Sequence, residues 1–211
     1  MKIDSPKLPK ELASKHFNDI FSEEDPELEH CLIVDAAFEE ETLHRARLKN
    51  VVIKNGRFNG TDFSKMDLLD VRFENCDFSN ANLNMASIHR VEFKNCKLLG
   101  VDLSESRFGN VLFENSLLNM AAFANSKFEK VIFHDCSLMS ADFYDCKLKK
   151  IEYLSSNLND TNFEQTSLKG IDISTSTFEE MTISIESLRG CKVSSFQAIQ
   201  FASLIGLVIK D

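Results

Sequence analysis

Tryptophan is missing altogether from this 211-residue chain, and proline occurs only at Pro6, Pro9 and Pro26. After Pro26, therefore, nothing interrupts a continuous ladder of backbone hydrogen bonds. Long apolar runs are missing too. The longest near the end, Phe201 to Ile209, is far short of the roughly 20 residues that a membrane helix needs. Met1 to Leu12 is too polar for a secretory segment. These absences lead us to expect a cytoplasmic protein. The catalytic inventory is equally thin. His16, His30, His44, His89 and His134 are scattered, and no H-E-x-x-H, G-x-S-x-G, G-x-G-x-x-G or C-x-x-C spacing occurs. We expect no enzyme activity, no metal and no cofactor. A carbohydrate-processing β-helix would be the best enzymatic alternative, but uniform repeats leave no long loops to build its cleft.

What the chain does have is rhythm. From Ile33 to Val193 a bulky apolar residue returns at every fifth position without a miss, and Phe73, Phe78, Phe93, Phe108, Phe113, Phe123, Phe128, Phe133 and Phe143 fall on it. A period of five fits neither the 3.6 of a helix nor the 2 of a strand, so each five-residue unit must turn the chain by a constant angle. The residue two before each centre is small or slender: Cys76, Ala81, Ala86, Val91, Cys96, Val101, Ser106. Both columns must point inward, and the other three positions face water. All six cysteines, Cys31, Cys76, Cys96, Cys136, Cys146 and Cys191, stand in the slender column, which makes them interior fillers rather than disulfides or ligands.

A longer period fixes the shape. Taking every fourth unit of the slender column puts Val51, Val71, Val91, Val111, Val131, Ile151 and Ile171 in one file and Ala36, Gly56, Cys76, Cys96, Ser116, Cys136, Ser156 and Ser176 in another. Residues twenty apart share an environment if four units make one coil and stack about 4.8 Å apart. Asn55, Asn75, Asn95 and Asn115 would then form a stacked ladder. The fold expected is an all-β solenoid of about eight four-sided coils over 31–193. Residues 1–30 lie outside the register. Leu8, Leu12, Phe17, Ile20 and Phe21 predict an amphipathic helix over about 9–21 that caps the open end, followed by an acidic linker from Glu23 to Pro26. Over 194–211, Ser194 or Ser195 should cap a short helix stopped at Gly206, with Leu207 to Ile209 as a strand. This apolar tail, through Phe196, Ile199, Gln200, Leu204, Leu207 and Ile209, is expected to join two copies across a two-fold axis.

The net charge of −9 hides a sidedness. The side centred on Leu48, Leu68, Ile88, Phe108, Phe128, Leu148, Leu168 and Leu188 carries most of the outward lysines and arginines, whereas acidic residues outnumber basic ones by more than two to one on the other three. Their carboxylates, spread over a rod of about 40 Å, come to one per about 2 Å, close to the one phosphate per about 1.7 Å of duplex DNA. Candidate contacts are the files Asp62, Asp102 and Asp142 with Glu105, Asp145 and Glu164, and the neighbouring Glu74, Asp77, Glu92 and Glu114.

The units A-N-L-N-M at 81–85, A-D-F-Y-D at 141–145, C-D-F-S-N at 76–80 and T-N-F-E-Q at 161–165 resemble the A-(D/N)-(L/F)-x-x unit of pentapeptide-repeat proteins. That resemblance implies a right-handed quadrilateral β-helix. Length, phenylalanine-rich centres and the apolar tail resemble the quinolone-resistance (Qnr and MfpA-like) group, which implies a homodimer that imitates DNA, binds DNA gyrase or topoisomerase IV and protects them from quinolones. Nucleic acid is then imitated rather than bound. Because the phase never slips, the loops that interrupt many Qnr coils are expected to be missing. The alternative is a structural scaffold for another protein partner.

Overall fold

At every fifth residue from His30 to Gly170 the backbone has a positive φ, between 47° and 79°. These residues stand two places after each centre, and each bends the chain through one corner. Left-handed backbone is tolerated best by Gly, Asn and Asp, and this column is rich in them: Asn50, Asn55, Gly60, Asp70, Asn75, Asn80. Four bends close a coil of twenty residues. The structure, a computed structural model that describes residues 1–21 and 25–210, is therefore a four-sided parallel β-helix.

The first side is centred on Leu48 and its equivalents twenty residues on, the second on Ile53, the third on Phe58 and the fourth on Phe63. First and second sides together form long strands that bend at the corner residue: Arg47–Lys54, Asp67–Glu74, Ser87–Lys94, Arg107–Glu114, Lys127–His134 and Lys147–Leu154. They pair in parallel and in register, so that Val51, Val71, Val91, Val111, Val131 and Ile151 are successive partners. The third and fourth sides are joined by single bridges such as Arg57 to Asp77 and Asp62 to Asn82. The stacking of residues twenty apart is as the sequence predicts.

Inside, the centres build two aromatic ladders. On the second side the rings of Phe73, Phe93, Phe113, Phe133 and Tyr153 stack with centroids 4.9 to 5.3 Å apart. On the fourth, Phe123, Phe143 and Phe163 do the same at 4.7 and 5.1 Å. Rings of the two ladders meet edge to face, as Phe133 and Phe143 do at 6.0 Å and 90°. All nine predicted phenylalanine centres are buried.

The slender column has a second task that explains its serines and cysteines. The hydroxyl of Ser106 donates to the Leu83 carbonyl at 3.2 Å and accepts from the Ala86 amide at 3.0 Å. Thr166 joins Phe143 and Cys146 in the same way. One small polar atom thus ties successive coils where the bend leaves backbone groups without a strand partner. The cysteines are free, and burial pushes the Cys136 thiol up to about 11 and that of Cys146 up to about 12. Of the predicted Asn ladder only the Asn75 to Asn55 link is hydrogen-bonded, at 3.3 Å, and it runs on to Asp35 at 3.0 Å; among the described residues Asn95 and Asn115 make no such side-chain bond.

The ends depart from expectation. No helix spans 9–21. Ala13–Ser14 pairs in parallel with Cys31–Leu32, and only Phe17–Phe21 coils, as a 3₁₀ turn. A lone helix of that length is marginal in water, whereas pairing satisfies the open edge of the first coil. The capping role survives through Phe17, whose ring packs at 5.0 Å against both Phe38 and Phe58, and through buried Ile20. Glu23 and Glu24 of the expected linker lie outside the described residues. Coiling starts slightly earlier than residue 31, since Glu27–Glu29 already pairs with Arg47–Lys49 and Leu28 is buried.

Residues 1–8, read as lying outside the register, run along the corner between first and second sides. Met1 lies against Glu152, the Asp4 amide donates to Asn110, and the Lys7 amide donates to Asp70 at 2.8 Å while its carbonyl accepts from Asn50. Burial alone would raise the Asp70 carboxyl, but the bidentate Arg90 at 2.6 and 2.7 Å and the Lys7 amide outweigh it and hold it below its usual range.

At the other end the five-residue phase is kept in pairing, with Asp172 bridged to Lys192, but not in backbone shape. A helical turn, α1 (Ile185–Leu188), replaces one side of the last coil. The helix α2 (Ser195–Phe201) follows, with the expected serine cap, Ser194, in a full capping box, and Gly206 stops the turn after it at φ 78°. Leu207 to Ile209 form no strand, because past Gly206 the segment has no described neighbour to pair with.

Phe93→Ala or Phe113→Ala should cost about 3 to 5 kcal/mol through the cavity left in the ladder; unchanged thermal melting would contradict the inward placement. The second prediction concerns acid. A carboxyl held low contributes stability above its unfolded value of about 3.9 and loses it as pH falls through the folded one. The protection of the Lys7 amide, relative to its intrinsic exchange rate, should therefore fall below about pH 4, and Asp70→Gly, which removes the acceptor and keeps the left-handed corner, should show the same loss at neutral pH. A protected amide in that variant would detach the arm from Asp70.

Candidate interaction surface

The acidic residues singled out by sequence do not form one surface. Glu74, Glu92 and Glu114 lie on the second side, and each is met by a cation one coil away: Lys54 at 2.8 Å, Arg72 at 2.8 Å and Lys94 at 3.2 Å respectively. Glu92 is also nearly buried. This side is a ladder of alternating sign and offers little free negative charge. Asp77, on the third side, accepts from Ser79 Oγ at 2.6 Å and has Lys97 at 3.8 Å. Burial works against its ionisation, but these partners hold its carboxyl below the usual range.

The fourth side is different. Asp62, Asp102, Asp142, Glu105, Asp145 and Glu164 come together there, and among the described residues no lysine or arginine lies within ion-pair distance of any of them; only His44 approaches, at 3.4 Å from Asp62. Along the file Asp62, Asn82, Asp102, Ala122, Asp142, Asn162, the charges sit two coils apart, about 10 Å, which is near the screening length at physiological salt and limits their mutual repulsion.

Local structure explains why this position takes Asp or Asn at all. The side-chain oxygen accepts the amide two residues on: Asp62 from Ser64, Asp102 from Ser104 and Asp142 from Tyr144, at 2.9 to 3.0 Å. Asn82 and Asn162 make the identical bond to Asn84 and Glu164. The local bond therefore uses a carbonyl oxygen and not a charge, and Ala122 in the same file shows that the coil closes without either. Negative charge at 62, 102 and 142 is extra to folding.

The expectation of three acidic sides is corrected in a second respect. The third side keeps its carboxylates at its ends, in Glu39, Glu40 and Asp77 and again in Asp160, Glu179 and Glu180. Between Leu98 and Ser140 its outward residues are uncharged, and Leu117, Met120 and Met139 are 43%, 65% and 40% exposed. Sequence reasoning missed this strip, although its apolar residues in outward columns were the available signal. In the tail, Phe196, Ile199, Leu204, Leu207 and Ile209 are exposed. Gln200 is not among them: its amide donates to the Phe178 carbonyl at 2.9 Å, so its own coil engages it. Buried Gln197 seals the last coil, bonding the Ile173 and Ser176 carbonyls at 2.9 and 2.8 Å. Among the described residues no cluster of His, Cys, Asp or Glu could hold a metal, and no helix is long and apolar enough to cross a membrane.

Comparisons with known proteins agree with this geometry. A family model described as a pentapeptide repeat region matches residues 86–163, and one described as pentapeptide repeats in eight copies matches 46–84 and 57–95. A comparison with curated proteins finds no match. Among solved structures, two trypsin-treated variants of QnrB1, a plasmid-mediated fluoroquinolone resistance protein, are 21% and 20% identical, with TM-scores of 0.55 and 0.51. Those alignments cover 84% and 85% of this chain and 99% and 100% of theirs. HetL from the cyanobacterium Nostoc sp. strain PCC 7120, a pentapeptide-repeat protein involved in heterocyst differentiation regulation, is 13% identical over 78% of this chain and 88% of its own, at a TM-score of 0.43. At such identities the likeness concerns the fold. With the two family models spanning residues 46–163 between them, and with the five-residue corner and twenty-residue coil they describe, the chain belongs to the pentapeptide-repeat family.

Proposed function

We propose that the fourth side passes for a strand of nucleic acid, and that the protein binds a type II topoisomerase, DNA gyrase or topoisomerase IV, at its DNA site and so shields it from quinolones without being cut. The observation that carries this reading is the row of six carboxylates without a lysine or arginine partner among the described residues. From Asp62 to Glu164 they span five coil steps, about 24 Å, or one per about 5 Å against one phosphate per 3.4 Å on a single duplex strand. The row lies on a straight rod, in a chain that shares its fold with the resistance protein QnrB1. Two copies joined at their exposed C-terminal residues Phe196, Ile199, Leu204, Leu207 and Ile209 would double the length of the imitation. Such a surface acts by occupancy and needs no chemistry of its own.

A scaffold for another protein is the second reading, and the uncharged strip around Leu117, Met120 and Met139 favours it, since exposed apolar patches mark protein contacts.

The test exploits the redundancy of charge in folding. Asp62→Asn, Asp102→Asn and Asp142→Asn combined should leave thermal melting unchanged, while the protein's rescue of gyrase supercoiling in the presence of ciprofloxacin falls at least tenfold. Reversal of Asp102, Glu105, Asp142 and Asp145 to Lys should abolish it. Full rescue by the reversed variant discards the acidic row; no rescue by the unaltered protein selects the scaffold.

A further inference from the structure

In the upper half of the first and second sides, from Arg47 to Lys94, charge follows a rule: each cation has a carboxylate directly above or below it, twenty residues away, as Lys49 has Glu29 at 2.7 Å, Arg90 has Asp70 at 2.6 Å, Arg72 has Glu92 at 2.8 Å and Lys54 has Glu74 at 2.8 Å. In the lower half of the first side the rule fails. Arg107, Lys127 and Lys147 are successive strand partners, all exposed, and none has a carboxylate within 4.0 Å among the described residues. Like charges stacked on adjacent strands oppose folding. The file two positions on continues the block with Lys149, Lys169 and Arg189, and only Lys149 in it is paired, with Glu129. A shallow groove of about 310 Å³ runs between the two files, floored by Phe108 and Phe128 and lined by Arg107, Lys127, Lys147 and Lys149, with Glu129 the one carboxylate in it.

We propose that this block is a second, independent interaction surface and that its partner is the phosphate backbone of duplex nucleic acid. A partner must supply dense, regular negative charge along a straight line. The block covers four coil steps, about 19 Å, with roughly one cation per 3 Å, and duplex DNA presents one phosphate per 1.7 Å of axis. An acidic protein segment seldom sustains that density. From Arg107 to Lys149 this side is a regular, in-register parallel ladder, along which a duplex can lie. Among the described residues no exposed aromatic stands between these cations on which an unstacked base could rest, so the contact reads phosphates and not sequence. Direct contact with nucleic acid goes beyond the imitation expected from the acidic side, and it does not rest on that reading: a different side carries it, and different variants test it.

Fluorescence anisotropy with labelled 25-base-pair duplexes of two unrelated sequences tests the proposal on the full chain. Both duplexes should bind equally at 50 mM salt, and the logarithm of the affinity should fall linearly with the logarithm of salt concentration. Lys127→Glu with Lys147→Glu should weaken binding at least tenfold, as should Lys169→Glu combined with Lys150→Glu at the exposed corner next to Lys149. Asp102→Asn with Asp142→Asn should not weaken it. Melting curves matching the unaltered protein certify that these exposed variants fold. No binding at 50 mM salt, binding insensitive to both lysine pairs, or binding to polyglutamate in preference to DNA would each overturn the proposal, the last in favour of an acidic protein partner.

Discussion

One backbone constraint organises this molecule: every fifth residue must take a left-handed conformation. That single bend, repeated at fixed spacing, decides that the chain closes into a square, that twenty residues make a coil, and that residues twenty apart lie on top of one another. Everything else follows from the stacking. Phenylalanine centres meet their copies at the spacing of the strands, so aromatic ladders form without any long-range packing problem to solve. Slender residues with a hydroxyl or thiol tie one coil to the next. On the surface, identical columns are brought into contact along the whole rod, so a residue's charge is judged against its neighbours one coil away.

That last consequence is what makes the surface informative. Where the sequence places opposite signs twenty apart, as along Arg72, Glu92, Lys94 and Glu114, charge contributes to the rod's own cohesion. Where it does not, the charge is left over from folding. Two places stand out on this ground, the fourth side with its spaced carboxylates and the lower first side with its stacked lysines. The distinction between Asp and Asn sharpens the first case, because both make the same bond to the amide two residues on, and only one brings a charge.

The period of five and the file structure of the interior were legible because they repeat many times over, so local exceptions could not mask them. The place of the bend was not read from sequence, although the Asn, Asp and Gly of the corner column carried the signal. The acidic surface was legible only as a total. Which carboxylates are free depends on partners one coil away, and counting by side merged the compensated Glu74, Glu92 and Glu114 with the uncompensated Asp102 and Asp142. The ends were the least legible parts. Leu8, Leu12, Phe17 and Ile20 have helical spacing, but an open sheet edge competes for that backbone and wins; likewise Leu207 to Ile209 have strand composition but no described strand beside them. Periodicity describes a segment in isolation, and the ends of a solenoid are decided by what the first and last coils leave unpaired.

The most direct test of the account is a pair of deletions. Removing residues 97–116 excises one coil and joins Cys96 to Leu117 in phase; this protein should melt cooperatively and form a rod shorter by about 4.8 Å. Removing residues 97–113 deletes less of the chain but slips the phase by three, throwing centres outward and corners onto straight sides, and it should not fold cooperatively. Equal melting behaviour of the two proteins would contradict a structure governed by a twenty-residue coil with a bend at every fifth residue.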